Sequence, residues 1–150
     1  MSLAFENGTS PAANFVRDSL AQCERGLQKS AALGVEALIR GELADVWDEC
    51  SLAGWDGYNA LPVTWDSLNL AEQFLRSLPL GSPLPSLGAE PDGHVTMEWG
   101  RRPRRRLSIS FSPDGELHYA ALTGPGRTCG SEPFLGEVPE TIMRLIRQVA

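Results

Sequence analysis

Lysine is almost missing from this 150-residue chain: Lys29 stands alone, and arginine supplies the other twelve basic residues. Histidine is nearly as scarce, with only His94 and His118. The three cysteines, Cys23, Cys50 and Cys129, are odd in number, far apart, and include no Cys-x-x-Cys pair. A disulfide framework is therefore not expected, and neither is a closed zinc site. The cysteines read as small buried hydrophobes, so no metal and no other cofactor is expected. No apolar run approaches the ~18 residues of a membrane span. The opening Met1-Ser2-Leu3-Ala4-Phe5-Glu6 lacks a basic region followed by an apolar stretch, so no signal peptide is expected. Together these absences point to a cytoplasmic protein with no membrane role.

What is present fits one domain with its own core: 150 residues, of which 42% are hydrophobic. The net charge of −6 argues against a general nucleic-acid binder. The charge is unevenly spread, however. Arg101, Arg102, Arg104, Arg105 and Arg106 crowd into six positions, and taking those five charges from −6 leaves about −11 for the rest.

The order of elements follows from periodicity. Residues 1–9 are polar and read as a flexible end. Ser10-Pro11 supplies an N-cap and a first-turn proline. A first helix is predicted on Ala12, Phe15, Val16, Leu20, Cys23 and Leu27, weakening from Gly26 to Ser30. A second runs from about Ala31 to Cys50, with Val35, Leu38, Ile39, Leu43, Val46, Trp47 and Cys50 as its apolar stripe. The stretch from Gly54 to Pro62 breaks the pattern as a loop. Thr64 caps a third helix that buries Leu68, Ala71, Phe74, Leu75 and Leu78. Pro79, Gly81, Pro83 and Pro85 then stop it.

From Pro85 the period becomes two. Four strands are predicted, at about 85–90, 94–99, 105–112 and 116–122. Glu90-Pro91-Asp92-Gly93-His94 and Ser112-Pro113-Asp114-Gly115-Glu116 are near-copies suited to type I turns closed by a glycine bulge. One sheet face carries Leu87, Ala89, Val95, Met97, Trp99, Leu107, Ile109, Phe111, Leu117, Tyr119 and Ala121 as its core side. Gly124 to Ser131 reads as a glycine-rich connector. Val138-Pro139-Glu140 opens a last helix over 139–149, with Ile142, Leu145, Ile146 and Val149 inward. The expected fold is α+β: a four-stranded antiparallel meander covered by N-terminal helices and a C-terminal helix. The domain spans 10–150, with a helical part at 10–78 and a sheet at 85–122.

From Gly54 onward the chain resembles a family of uncharacterised bacterial proteins. The residues that carry the likeness are Trp55-Asp56-Gly57-Tyr58-x-Ala60-x-Pro62-Val63, Phe74, Leu78-Pro79, Pro85, Asp92-Gly93-x-Val95-x-x-Glu98-Trp99, Tyr119, Leu135, Pro139 and Ile142. The resemblance implies a self-contained fold and no named activity.

Four places in the sequence invite a function. In the loop, Trp55, Asp56, Tyr58 and Asn59 together offer a binding surface; the plainer reading is a plug that anchors the connector. On the outward sheet face, Glu90, His94, Ser110 and His118 fall in one row if Gly100 lies opposite Arg104. Such a row suggests acid–base or nucleophilic chemistry. Histidines two strands apart, about 10 Å, do not share a metal, and a solvated sheet face is the simpler account. The hairpin arginines Arg101, Arg102, Arg104 and Arg105 suit phosphates or an acidic protein, set against a solvated turn in which Glu98 pairs with Arg106. The Gly124–Ser131 stretch lacks a phosphate-loop pattern, and Cys129 has no histidine near it in sequence. The leading expectation is a small non-enzymatic protein-interaction module, binding a protein partner or a second copy. Its alternatives are a nucleic-acid-binding or regulatory component acting through the arginines, and a small hydrolase using His94 and His118.

Overall fold

The computed structural model describes residues 11–150, and for residues 27–32 the backbone alone. The flexible end expected at 1–9 and the Ser10 cap lie outside the described residues. By internal contacts the chain divides into two units, residues 1–37 and 38–150. One continuous helix, α1 (Pro11–Cys50), takes the place of the two helices expected. The break predicted at Gly26–Ser30 does not occur. A helical glycine costs only about 1 kcal/mol relative to alanine, and no proline or cap reinforces the stop. In the first unit the side chains of residues 11–26 are exposed, including the expected apolar set Phe15, Val16, Leu20 and Cys23.

In the second unit the end of α1 buries Ile39, Leu43, Val46 and Cys50, while Leu38 stays exposed. Trp47 meets Trp65 edge to face, with ring centroids 5.2 Å apart. Helix α2 (Trp65–Ser77) begins where expected, the Thr64 hydroxyl accepting from the Ser67 amide. It buries Leu68, Ala71, Phe74 and Leu75.

The sheet is antiparallel, as read, but has five strands rather than four. These are β1 (Ser86–Ala89), β2 (Val95–Arg102), β3 (Arg105–Phe111), β4 (Glu116–Thr123) and β5 (Gly126–Pro133), each paired with the next. The fifth is the stretch read as a connector. Gly124, with φ +80°, and Pro125 form a two-residue hairpin turn, and β5 pairs with β4 along its whole length. Its residues are exposed except for the half-buried Glu132, so no apolar alternation announced it. Gly130 leaves room for the Tyr119 ring opposite: a Cβ there would lie 2.6 Å from the Tyr119 hydroxyl.

Val95, Met97, Trp99, Leu107, Ile109, Phe111, Leu117 and Ala121 are buried on one face, with Tyr119 half-buried beside Ile109. Helix α2 packs on β2 and β3, and α3 (Glu140–Val149) on β2, β3 and β4. Phe74 is fully buried, its ring 5.3 Å from Phe111, 5.8 Å from Phe134 and 6.2 Å from Trp99. Burying one such ring stabilises by about 1.5–3 kcal/mol, which makes Phe74 the pin between α2 and the sheet. The other sheet face carries Thr96, Glu98, Ser108, His118, Ala120 and Leu122, all half-buried or exposed. Among the described residues no helix is long and apolar enough to cross a membrane.

Candidate functional site

The Gly54–Pro62 loop is held by its own side chains. The Trp55 indole donates to the Leu61 carbonyl at 2.8 Å, and one Asp56 oxygen accepts from the amides of Tyr58 and Ala60. The Leu61 amide donates to Pro91 and the Val63 amide to Cys50. Trp55 and Asp56 are thus occupied in shaping the connector. Tyr58, 85% exposed, and Asn59 remain at the surface.

The outward row is not the one expected. Gly100 does not lie opposite Arg104: Trp99 pairs with Leu107, a bulge follows, and Arg102 pairs with Arg105 across a two-residue turn. Every pairing from Val95 to Trp99 is therefore displaced by two residues from the expectation, and the Arg102–Arg105 pair beyond the bulge by three. A shift of two preserves which face each side chain occupies, so the core assignment survives, but Thr96 rather than His94 stands opposite Ser110. Glu98 likewise faces Ser108, not Arg106.

His118 does pair with Ser110, yet its Nδ1 lies 2.7 Å from the Ser131 hydroxyl on β5. His94 turns instead toward its own hairpin. Its Nδ1 is 3.3 Å from Asp92 Oδ2 and 3.4 Å from Ser110 Oγ. The Ser110 hydroxyl donates to Glu90 at 3.1 Å. Glu90, Asp92, His94 and Ser110 are thereby gathered at one end of a shallow depression that also includes His118. Sequence reasoning left Asp92 out of this group and assigned it to the turn alone. Ser110 is 8% exposed on a regular strand, with its proton committed to Glu90. That leaves a nucleophilic serine with little support. Cys129 is exposed on β5 opposite Ala120, and the histidine on β4 faces Ser131 instead.

The arginine hairpin is the most strongly charged feature. Gly100, at φ +101°, sits so close to the Arg105 carbonyl that no side chain fits there, and the Gly124 amide ties back to the Arg104 carbonyl at 2.8 Å. The turn is held rigidly and its arginines are all exposed. Arg101, Arg102 and Arg105 line one hollow of about 620 Å³, whose remaining wall is Pro83, Leu84, Trp99, Gly100, Val149 and Ala150. Arg105 donates to the Gln148 carbonyl at 3.3 Å. Among the described residues, none of Arg101, Arg102, Arg104 and Arg106 has a carboxylate within ion-pair distance. The apolar part of this hollow went unread in the sequence, because Leu84 and Val149 belong to segments distant from the arginines. Set beside known protein families, curated proteins and solved structures, the chain matches none of them.

Proposed function

We propose that this chain is a non-enzymatic interaction module whose arginine hairpin receives an acidic segment of a protein partner. The observation that carries this reading is the hollow ringed by Arg101, Arg102 and Arg105. Three arginines line a common space, and none of them has a carboxylate of the described residues within ion-pair distance. Crowded like charges cost free energy that an anionic partner relieves, and guanidinium forks grip carboxylates in pairs. The apolar wall, with Leu84 41% exposed, favours a protein segment over a bare phosphate, since it offers an acidic peptide a place for an aliphatic or aromatic anchor. At physiological salt the Debye length is about 8 Å, so the patch acts at contact range despite the acidic remainder of the chain.

The test is a fluorescence-anisotropy titration with two probes: a peptide alternating glutamate and leucine, and a single-stranded oligonucleotide of similar charge. Wild type is compared with the variant in which Arg101, Arg102, Arg104 and Arg105 become serine, each confirmed folded by circular dichroism. The reading expects the peptide to bind wild type and to lose about tenfold or more in the variant. Preference for the oligonucleotide, with affinity falling steeply as salt rises, would replace it by the nucleic-acid alternative. Equal behaviour of both proteins toward both probes would leave the hairpin a solvated turn.

A further inference from the structure

We propose that Glu90, Asp92 and His94 form a site for one divalent first-row transition ion of the zinc class, on the turn joining β1 to β2. This inference is independent of the arginine hairpin and revises the expectation that the chain holds no metal. Among the described residues, these three bring one donor atom each to within 4.8 Å of one another. The distances inside the group carry the argument. His94 Nδ1 lies 3.3 Å from Asp92 Oδ2 and 3.4 Å from Ser110 Oγ, and Ser110 Oγ lies 3.1 Å from Glu90 Oε2. All are longer than the favoured hydrogen-bond lengths, about 2.9–3.0 Å for N–H···O and about 2.7–2.8 Å for O–H···O. The His94–Asp92 distance, the one of the three that joins two proposed ligands, matches the separation between neighbouring donors around an ion, while the other two show Ser110 holding His94 and Glu90 side by side. With bonds of about 2.1 Å, donors stand about 3.0 Å apart in an octahedron and about 3.4 Å apart in a tetrahedron.

The turn holds these donors in place before any ion arrives. The Glu90 amide donates to the His94 carbonyl and the Gly93 amide to the Glu90 carbonyl, each at 2.9 Å. Asp92 Oδ1 accepts from the His94 amide at 3.0 Å, which leaves Oδ2 turned toward the imidazole. The Gly54–Pro62 loop presses on the turn from outside through the Leu61 amide and the Pro62 carbonyl. Ser110, 8% exposed, supports the Glu90 carboxylate from the strand below. An imidazole with two carboxylates suits zinc, nickel or iron better than calcium or magnesium, which favour oxygen alone. Two carboxylates also balance a double positive charge. The half-exposed Asp92 leaves positions open to water, as three-ligand zinc sites do. The second turn, Ser112 to Glu116, repeats the Pro-Asp-Gly core but has serine and glutamate where the first has glutamate and histidine. It is a built-in control that lacks the nitrogen donor.

The experiment is a calorimetric titration of zinc chloride into the full chain, with amide shifts followed by NMR. One equivalent should bind, moving the amides of residues 90–94 and Ser110. Glu90→Gln and His94→Ala should each weaken binding by about tenfold or more, a loss typical even of residues that merely support a ligand. Cys23→Ser, Cys129→Ser and Asp114→Asn should leave it within about twofold. Glu90→Gln keeps shape and size, so it remains informative if His94→Ala fails to fold. Absence of saturable binding would overturn the proposal. So would binding that survives the Glu90 and His94 variants, or that disappears with either cysteine.

Discussion

Gly93 packs against Pro62 so closely that a Cβ on Gly93 would lie 2.6 Å from the Pro62 carbonyl oxygen. Its φ of +86° adds a second restriction. Gly115, in the twin turn, has a similar φ of +92° but open space where a Cβ would go. The pair separates backbone strain from packing. Gly115→Ala should cost about 1–2 kcal/mol, from the left-handed backbone alone. Gly93→Ala should cost about 2–4 kcal/mol, because the loop must also move. Urea unfolding of both variants checks this, and equal losses would mean that the Pro62 contact carries no energy.

Those two turns also show how much of the molecule could be read from sequence. Proline, aspartate and glycine in fixed order announced both hairpins, and alternation then placed Val95, Met97, Ile109 and Phe111 in the core. The β2–β3 hairpin carried no comparable signal, since arginines and one proline permit several registers. The two-residue turn at Pro103-Arg104 displaced the pairing by three and the bulge at Gly100 took back one, a net shift of two that leaves faces unchanged and rows wrong. For that reason the outward group around His94 was only partly legible: Glu90 and Ser110 were named, Asp92 was not, and His118 was rightly set beside Ser110 while its hydrogen bond to Ser131 on the unforeseen β5 was missed. Strand β5 escaped because an exposed edge strand has no buried face to impose alternation. The long α1 escaped because glycines weaken a helix without ending it.

The cysteines should differ in reactivity. Burial, and then the nearby Glu49 charge, push the Cys50 thiol above its ordinary 9.0, so less of it is thiolate at neutral pH. Cys23 and Cys129 are exposed. Iodoacetamide at mildly alkaline pH should add two carbamidomethyl groups quickly to the native protein. A third should appear only with denaturant, and peptide mass spectrometry should place it on Cys50. Rapid modification of Cys50 in the native state would contradict its burial.

Asp114 should set part of the acid limit of stability. Hydrogen bonds from the Ser112 side chain and then the Glu116 amide hold its carboxyl below the ordinary 3.8. A carboxyl lowered on folding stabilises fully above its unfolded pKa, and that contribution disappears as pH falls through the folded value. Asp114→Asn should therefore flatten the decline in stability below about pH 4, with little change in the shape of the curve near neutrality. A carbon-13 titration of the Asp114 carboxyl gives the direct measurement; a midpoint at or above the ordinary value would remove the basis for the prediction.

Ser67 is the polar residue on which the start of β2 and the end of β3 depend. It is fully buried on α2, yet its hydroxyl donates to the Phe111 carbonyl at 2.6 Å and accepts from the Val95 amide at 2.9 Å. Val95 and Phe111 are opposite each other in the sheet, so one side chain satisfies both strands at the same rung. A hydroxyl can do this because it has one proton and two lone pairs. Alanine can do neither, and the removal of a single hydroxyl opens less room than a water molecule needs. Each buried backbone group left without a partner costs about 1–3 kcal/mol, so Ser67→Ala should lose about 2–4 kcal/mol. Ser67→Thr keeps both hydrogen bonds but adds a methyl where nothing is exposed, and should lose about 1–3 kcal/mol through overpacking. The distinguishing readout is amide exchange at Val95. It should accelerate in the alanine variant by more than global destabilisation explains, and should follow global stability in the threonine variant. If Val95 exchanges no faster than its neighbours in Ser67→Ala, the hydroxyl is not what protects that amide.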